Sequence, residues 1–230
     1  MASWMEDDEL FALVERELFT CVVGDVMDKL KLFHQFLPPQ IKPLNPEMVL
    51  LGRAMPVLGG DVFDESVSGS ANALMERPFG LMFDSLDDLK QNEVYVSTGS
   101  SPRHASWGAI MATRARRLGA RGALANGYTR DTRALLRMQF PTFSFGSYGQ
   151  DSGPRYKVYD YRLTIEIGGV RIRPGDIVFG DIDGVCVVPA DAEEEILRGA
   201  LEKVRREKLV MQDLESGATA VAAYKQYGVF

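Results

Sequence analysis

Histidine and cysteine are scarce in this chain, with two of each among 230 residues. A structural zinc site takes about four such ligands, so none is expected. His34, in a Phe-rich stretch, reads as structural. Cys21 and Cys186 stand far apart in apolar surroundings, which excludes a disulfide framework and predicts two reduced core residues in a reducing compartment. No run approaches the roughly 18 apolar residues that cross a bilayer. The opening MASWMEDDEL is acidic and lacks the basic and apolar regions of a signal peptide, so a cytoplasmic location and no membrane partner are expected. Excess positive charge is missing as well. The formal net charge of -6 argues against a nucleic-acid partner, whose footprint is basic. Arg114, Arg116, Arg117 and Arg121, on helical spacing, read as a solvated face or a subunit contact. There is no Walker loop, no Gly-x-Gly-x-x-Gly, no HExxH and no CxxC pair.

What is present is a mixed α/β pattern. With 46% hydrophobic and 25% charged residues the chain has ample material for a core, and one domain over 1–230 is expected. Apolar spacing predicts N-terminal helices over about 6–32, the first through Leu10, Phe11, Val14 and Leu18 and the second opening at Thr20. Pro38-Pro39 ends helical structure and opens a linker. Val49 to Val57 predicts a strand closed by a Gly59-Gly60-Asp61 turn. Helical spacing follows from Phe79 to Leu89, and Val94 to Thr98 alternates as a strand. From Tyr156 to Pro189 the pattern is all-β, with one strand over Val158 to Ile167 and a hairpin at Gly168-Gly169. Helices over about 190–227 close the chain, with Glu194 and Arg198 four apart on an exposed face.

Chemistry concentrates between Trp107 and Thr132. A helix beginning near Gly108, capped by Ser101 or Ser106, would leave first-turn amides free for an anion, and the glycine would let a ligand approach. Close helix–sheet packing explains the same glycine. Arg130 offers a planar fork for a carboxylate, and Asp131 a hard oxygen ligand for Mg²⁺ or Mn²⁺. A structural ion pair, with Asp131 capping its own helix, accounts for those two residues equally. His104, in the loop before the helix, suits acid–base work or plain loop structure. Asp61, Asp64 and Glu65 form an acidic turn. Asp181 and Asp183 read as turn-formers.

The segments LFTCVVGDVMDKL, WGAIMATRARRLGARGALANGYTRD, DYRLTIEIGGVRIRPGDIVFGDIDGVCVVP and AYKQYGVF, with DVFDESVSG more loosely, resemble the RraA-like family. That family includes class II pyruvate aldolases and a branch of protein-binding ribonuclease regulators. The resemblance implies an α/β swivelling β/β/α fold, a central β-sandwich or barrel flanked by helices, assembled as a homotrimer or homohexamer. It implies that Asp131 binds a divalent metal, Mg²⁺ or Mn²⁺, that Arg130 binds substrate, and that the backbone at Gly108, Ala109, Ile110 and Met111 cradles a pyruvyl carboxylate. The implied activity is a carbon–carbon lyase releasing pyruvate from a small 2-oxo acid of the 4-hydroxy-4-methyl-2-oxoglutarate type, from oxaloacetate, or from both. The implied alternative is a non-catalytic regulator of a ribonuclease. Many aldolase members carry Asp or Glu where this chain has Ala109, and an acidic residue where TRALL follows Arg130-Asp131.

Overall fold

A computed structural model of the chain describes residues 5–63 and 70–229, so Asp64 and Glu65 of the predicted acidic turn lie outside the described residues. The elements run α1 (Asp7–Glu17), α2 (Thr20–Lys29), β1 (Lys42–Pro43), β2 (Leu50–Asp61), α3 (Met82–Asp87), β3 (Glu93–Thr98) and β4 (Ala105–Trp107). They continue with α4 (Ala109–Arg117), β5 (Gly122–Ala125), β6 (Tyr128–Thr129), α5 (Thr132–Met138), β7 (Thr142–Ser144), β8 (Tyr156–Tyr161) and β9 (Ile165–Ile167). The last are β10 (Val170–Ile172), β11 (Ile177–Gly180), β12 (Val185–Val188), α6 (Glu193–Glu215) and α7 (Ala220–Tyr227). Two compact units result, Met1–Phe33 with Ala192–Phe230, and His34–Asp191.

The first unit is helical. Leu10, Phe11 and Val14 form the buried stripe of α1. A Cβ on Gly199 of α6 would sit 3.0 Å from Val26 of α2, so the glycine sets how closely those helices approach. The Lys203 ammonium, buried in α6, is held by Asp25 at 2.7 Å and by Glu207. Glu194 and Arg198 pair at 2.9 Å as their spacing predicts. Cys21 is a correction. It lies on the exposed side of α2, while Cys186 is buried.

The second unit is built on a mixed sheet in the order β1-β7-β5-β3-β2-β11-β12, which curls into a nearly closed barrel. β2 is its hinge strand. One edge pairs parallel with β3, while the other pairs antiparallel with β11 and, further on, with β8. All six residues of β3 are buried. Val94 and Val96 enter one apolar cluster with Leu50, Phe143 and Val178, and Tyr95 enters the other with Met55, Trp107 and Tyr156. The β-branched Val94, Val96 and Thr98 of β3 alternate with other residues, and that pattern makes the strand legible in the sequence.

Two predicted features change. Gly59 and Gly60 make no turn; they lie inside β2. A Cβ on Gly59 would meet the Tyr156 ring at 2.2 Å, and one on Gly60 the Tyr159 ring at 2.4 Å, so both glycines admit aromatic rings from β8. The predicted strand over Val158 to Ile167 is broken into β8 and β9. Arg162, at φ 58°, sits at the break. Its guanidinium spans the Glu93 carboxylate at 2.6 and 2.9 Å and also bonds Asp88. The ionic anchor holds a left-handed conformation that an arginine seldom adopts. The Gly168-Gly169 hairpin stands as expected, with φ 59° and 86° joining β9 to β10. Asp183 donates its amide to the Asp181 carboxylate at 2.9 Å, the turn role predicted for that pair. Among the described residues no helix is long and apolar enough to cross a membrane.

Candidate functional site

Short parallel pairing brings the central stretch together. β4 runs beside β6, so the residues that follow each strand, Gly108 and Arg130, become neighbours. Trp107 O accepts from Arg130 N at 2.9 Å and from Thr129 Oγ1 at 3.0 Å. Thr129 N donates to Gly146 O, and Thr129 O accepts from Tyr148 N. Three loops are thus joined through main-chain groups around one buried threonine.

Gly108 caps α4 without help from Ser101 or Ser106. The cap comes from across the site. Ala109 N donates to Asp131 Oδ2 at 3.1 Å. Asp131 stands in the cap position of α5 but makes no side-chain bond to that helix; at φ 60° its carboxylate turns towards α4. Asp and Asn tolerate this left-handed region better than other side chains. An anion at the positive end of α4 is favoured by the helix dipole as well. Gly108 itself has an extended φ of -161°, so its backbone does not require glycine. Space is tight, however: a Cβ there would lie 3.0 Å from Asp131 Oδ2 and 3.3 Å from Arg130 Cγ, so both side chains would have to give by a few tenths of an ångström.

The first helical bond of α4 runs from Ala112 N to Gly108 O, so the amides of Ala109, Ile110 and Met111 have no partner within the helix. With Ala109 N taken by Asp131, those of Ile110 and Met111 remain for a ligand. Ile110 is 82% exposed. Arg130 Nε is 4.0 Å from Asp131 Oδ2, and its Nη1 bonds Asp151 Oδ1 at 2.6 Å. All three charged groups are partly open to solvent. Two carboxylates flank one guanidinium, which leaves a net charge of about -1 among these three groups and favours an added cation. Among the described residues no three His, Cys, Asp or Glu side chains converge as a ready metal cage. Magnesium does not demand one. It is often held by one or two carboxylates, keeping several waters.

The sequence profile of the RraA-like family, described as Aldolase/RraA, matches residues 20–187. The chain belongs to the RraA-like family. It is 28% identical over 209 residues, 91% of this chain and 90% of the other, to a Halalkalibacterium halodurans protein provisionally named a 4-hydroxy-4-methyl-2-oxoglutarate aldolase. Among solved structures, one described as a novel cellulase from microbes of the gut ecosystem superposes with a TM-score of 0.80 at 31% identity, covering 90% of this chain and 89% of that one. RraAS2 of Streptomyces coelicolor, described as an unusual member of the RNase ES inhibitor RraA family, has the same fold with a TM-score of 0.74 at 20% identity, covering 90% and 98%.

The RraA-like fold brings together Gly108, Ala109, Arg130 and Asp131. The residue that sequence reasoning missed is Asp151. It lies in a polar, glycine-rich loop where nothing local marks one aspartate over another, and its contact with Arg130 is long-range. Three of the basic cluster form the expected solvated face: Arg114, Arg116 and Arg117 are exposed on α4, with Arg114 paired to Asp87 at 2.7 Å and Arg116 bonding Met138 O at 3.1 Å. Arg121 departs from it, being half-buried and bonded to Leu51 O.

Asp61 also resolves differently from a free acidic turn. It accepts from Ser101 N at 3.0 Å and from Arg103 Nη2 at 2.8 Å, pinning the loop that leads to β4. Partial burial opposes its ionisation, but the bonds from Ser101 and Arg103, with the His104 ring close by, outweigh that and hold its carboxyl down at about 2. A carboxyl depressed in the folded state stabilises above its unfolded value near 4 and loses that contribution as pH falls towards 2. The melting temperature of the native chain is therefore expected to fall over that window more steeply than that of Asp61→Asn. Parallel melting curves from pH 5 to pH 2 check it.

Proposed function

We propose that this protein is a divalent-metal-dependent carbon–carbon lyase that releases pyruvate from a 2-oxo acid. The finer reading is retro-aldol cleavage of a 4-hydroxy-4-methyl-2-oxoglutarate-type diacid, decarboxylation of oxaloacetate, or both. The observation that carries it is Asp131 turned against the N-terminus of α4 with Arg130 alongside. The name given to the Halalkalibacterium halodurans relative supports the substrate class.

In this reading the Arg130 fork and the amides of Ile110 and Met111 hold the pyruvyl carboxylate. Asp131 would hold Mg²⁺ or Mn²⁺ through Oδ1, which has no hydrogen-bond partner among the described residues. When bound, the cation supplies Lewis-acid stabilisation for charge developing on the 2-oxo oxygen. In the retro-aldol direction the 4-hydroxyl loses its proton and the C3–C4 bond breaks. Its electron pair enters the pyruvate enolate, which then gains a proton at C3. Arg130 and the α4 amides keep the carboxylate fixed throughout, so the bond that breaks stays oriented. The same reading proposes a homotrimer or homohexamer, in which a neighbouring copy supplies further oxygen ligands; light scattering on the purified chain reads the copy number.

The deciding experiment is a coupled pyruvate-release assay on 4-hydroxy-4-methyl-2-oxoglutarate and on oxaloacetate, with Mg²⁺, with Mn²⁺ and with chelator. Release that needs metal and is lost in Arg130→Ala supports the lyase. No release from either substrate, together with recovery of a stoichiometric ribonuclease partner, would replace it with the regulator reading. Asp151 should act by holding Arg130. For Asp151→Asn, KM is expected to rise by about three- to fivefold at nearly constant kcat, the scale of a half-exposed ion pair. Steady-state kinetics check it, and a fall in kcat at constant KM would place Asp151 in the chemical step.

A further inference from the structure

A second group of polar side chains borders the candidate site at Asp151. A cleft of about 470 Å³ opens where β2 ends, lined by Asp61, Phe63, Arg103, His104 and Arg155 among others. His104 is its buried wall. The side chain is 1% exposed, and neither ring nitrogen has a hydrogen-bond partner among the described residues. Nε2 stands 3.5 Å from Asp61 Oδ1, and the ring packs on Tyr156 with centroids 5.4 Å apart. Folded proteins seldom leave a buried imidazole so poorly matched, and such a group calls for a bound water, an ion or a ligand to complete its bonding.

The charges around it are unequal. Asp61 is balanced by Arg103, whose guanidinium also lies 5.0 Å from the Phe63 ring centroid. Among the described residues Arg155 donates only to a neutral acceptor, the carbonyl of Asp151, at 3.2 Å, and has no ion-pair partner. It lies at the cleft with an imidazole whose nitrogens make no hydrogen bond among those residues. The exposed Phe63 ring adds an apolar wall.

We propose that this cleft is a second binding site, for a small organic molecule bearing an oxyanion, a carboxylate or a phosphate, held by Arg155 and His104. The volume suits a small metabolite. It adjoins the candidate lyase site, since Asp151 accepts from Arg130 through Oδ1 at 2.6 Å and from Arg155 through its carbonyl at 3.2 Å.

Isothermal titration of the full chain with succinate and, separately, with glycerol 3-phosphate tests this. At least one probe should bind at one equivalent per chain, and which one does tells carboxylate from phosphate. Arg155→Ala should weaken it by about 10- to 100-fold, the range for a lost charged hydrogen bond. Arg155→Lys, which keeps the charge, should recover part of the loss. His104→Gln should weaken it too, and the His104 ring ¹⁵N resonances of the native chain should move on titration. Arg130→Ala, which touches this cleft only through Asp151, should weaken it far less than Arg155→Ala does. The proposal is overturned if neither probe binds, if Arg155→Ala binds as the native chain does, or if Arg130→Ala removes the binding.

Discussion

Asp131→Asn is expected to lower metal-dependent pyruvate release by about a hundredfold to a thousandfold while leaving the fold nearly as stable as before. The two effects separate because Asp131 does two things. Its Oδ2 accepts from Ala109 N, and asparagine keeps an oxygen for that bond and tolerates the same φ of 60°. What asparagine removes is the negative charge that would hold the cation. Asp131→Ala loses both. It should melt about 4 to 8 °C lower, from roughly 1 kcal/mol for the lost cap and a similar cost for alanine in the left-handed region. Calorimetric melting of both variants, beside the pyruvate assay, reads the two contributions independently. Full turnover in Asp131→Asn would reduce the residue to a helix cap and remove the proposed metal ligand.

Gly59→Ala should produce a large loss of stability. Its Cβ would stand 2.2 to 2.3 Å from Cε2, Cζ and Oη of Tyr156, atoms of a ring that is 2% exposed and so has nowhere to swing. Burial, followed by the neighbouring Tyr95 and Tyr159, also holds the Tyr156 phenol well above its ordinary value. β2 must then part from β8, or the ring must leave the core. A cost of about 3 kcal/mol is expected, which for a chain of this size is a fall of about 6 to 12 °C in Tm. Gly149→Ala is the control. Nothing lies within 4 Å of a Cβ there, and its Tm should hardly move. Trimming the phenol oxygen does not relieve the clash, since two ring carbons are struck as well, so Gly59→Ala with Tyr156→Phe should melt about as low. Recovery in that double variant would mean that the hydroxyl alone was crowded.

Those two glycines also mark how far the sequence could be read. Gly59-Gly60 carries the same local signal whether it makes a turn or admits a ring, and the deciding partners, Tyr156 and Tyr159, lie far along the chain. Strands buried on both faces, such as β3 and β11, needed no partner to be recognised. The Gly168-Gly169 hairpin was equally plain, because its turn geometry is set by adjacent residues. The break at Arg162 was hidden, since its cause is an ion pair with Glu93 and Asp88. At the site, Gly108, Arg130 and Asp131 stood out through family resemblance together with elementary chemistry. That Asp131 caps α4 and not its own helix, and that Asp151 holds Arg130, depend on pairing between β4 and β6 and on the loop before β8. Neither can be seen from spacing alone.

The buried Thr129 at the crossing of three loops has one more consequence. Gly108, Arg130 and Ser147 are fixed in relation to one another chiefly by peptide groups, which every residue carries. Side chains that face outward beside that frame, Ile110 of α4 above all, are therefore at liberty to be exchanged without loosening it. A lineage built on it can drift from one acid to another by repainting the rim, keeping the same skeleton beneath each new preference.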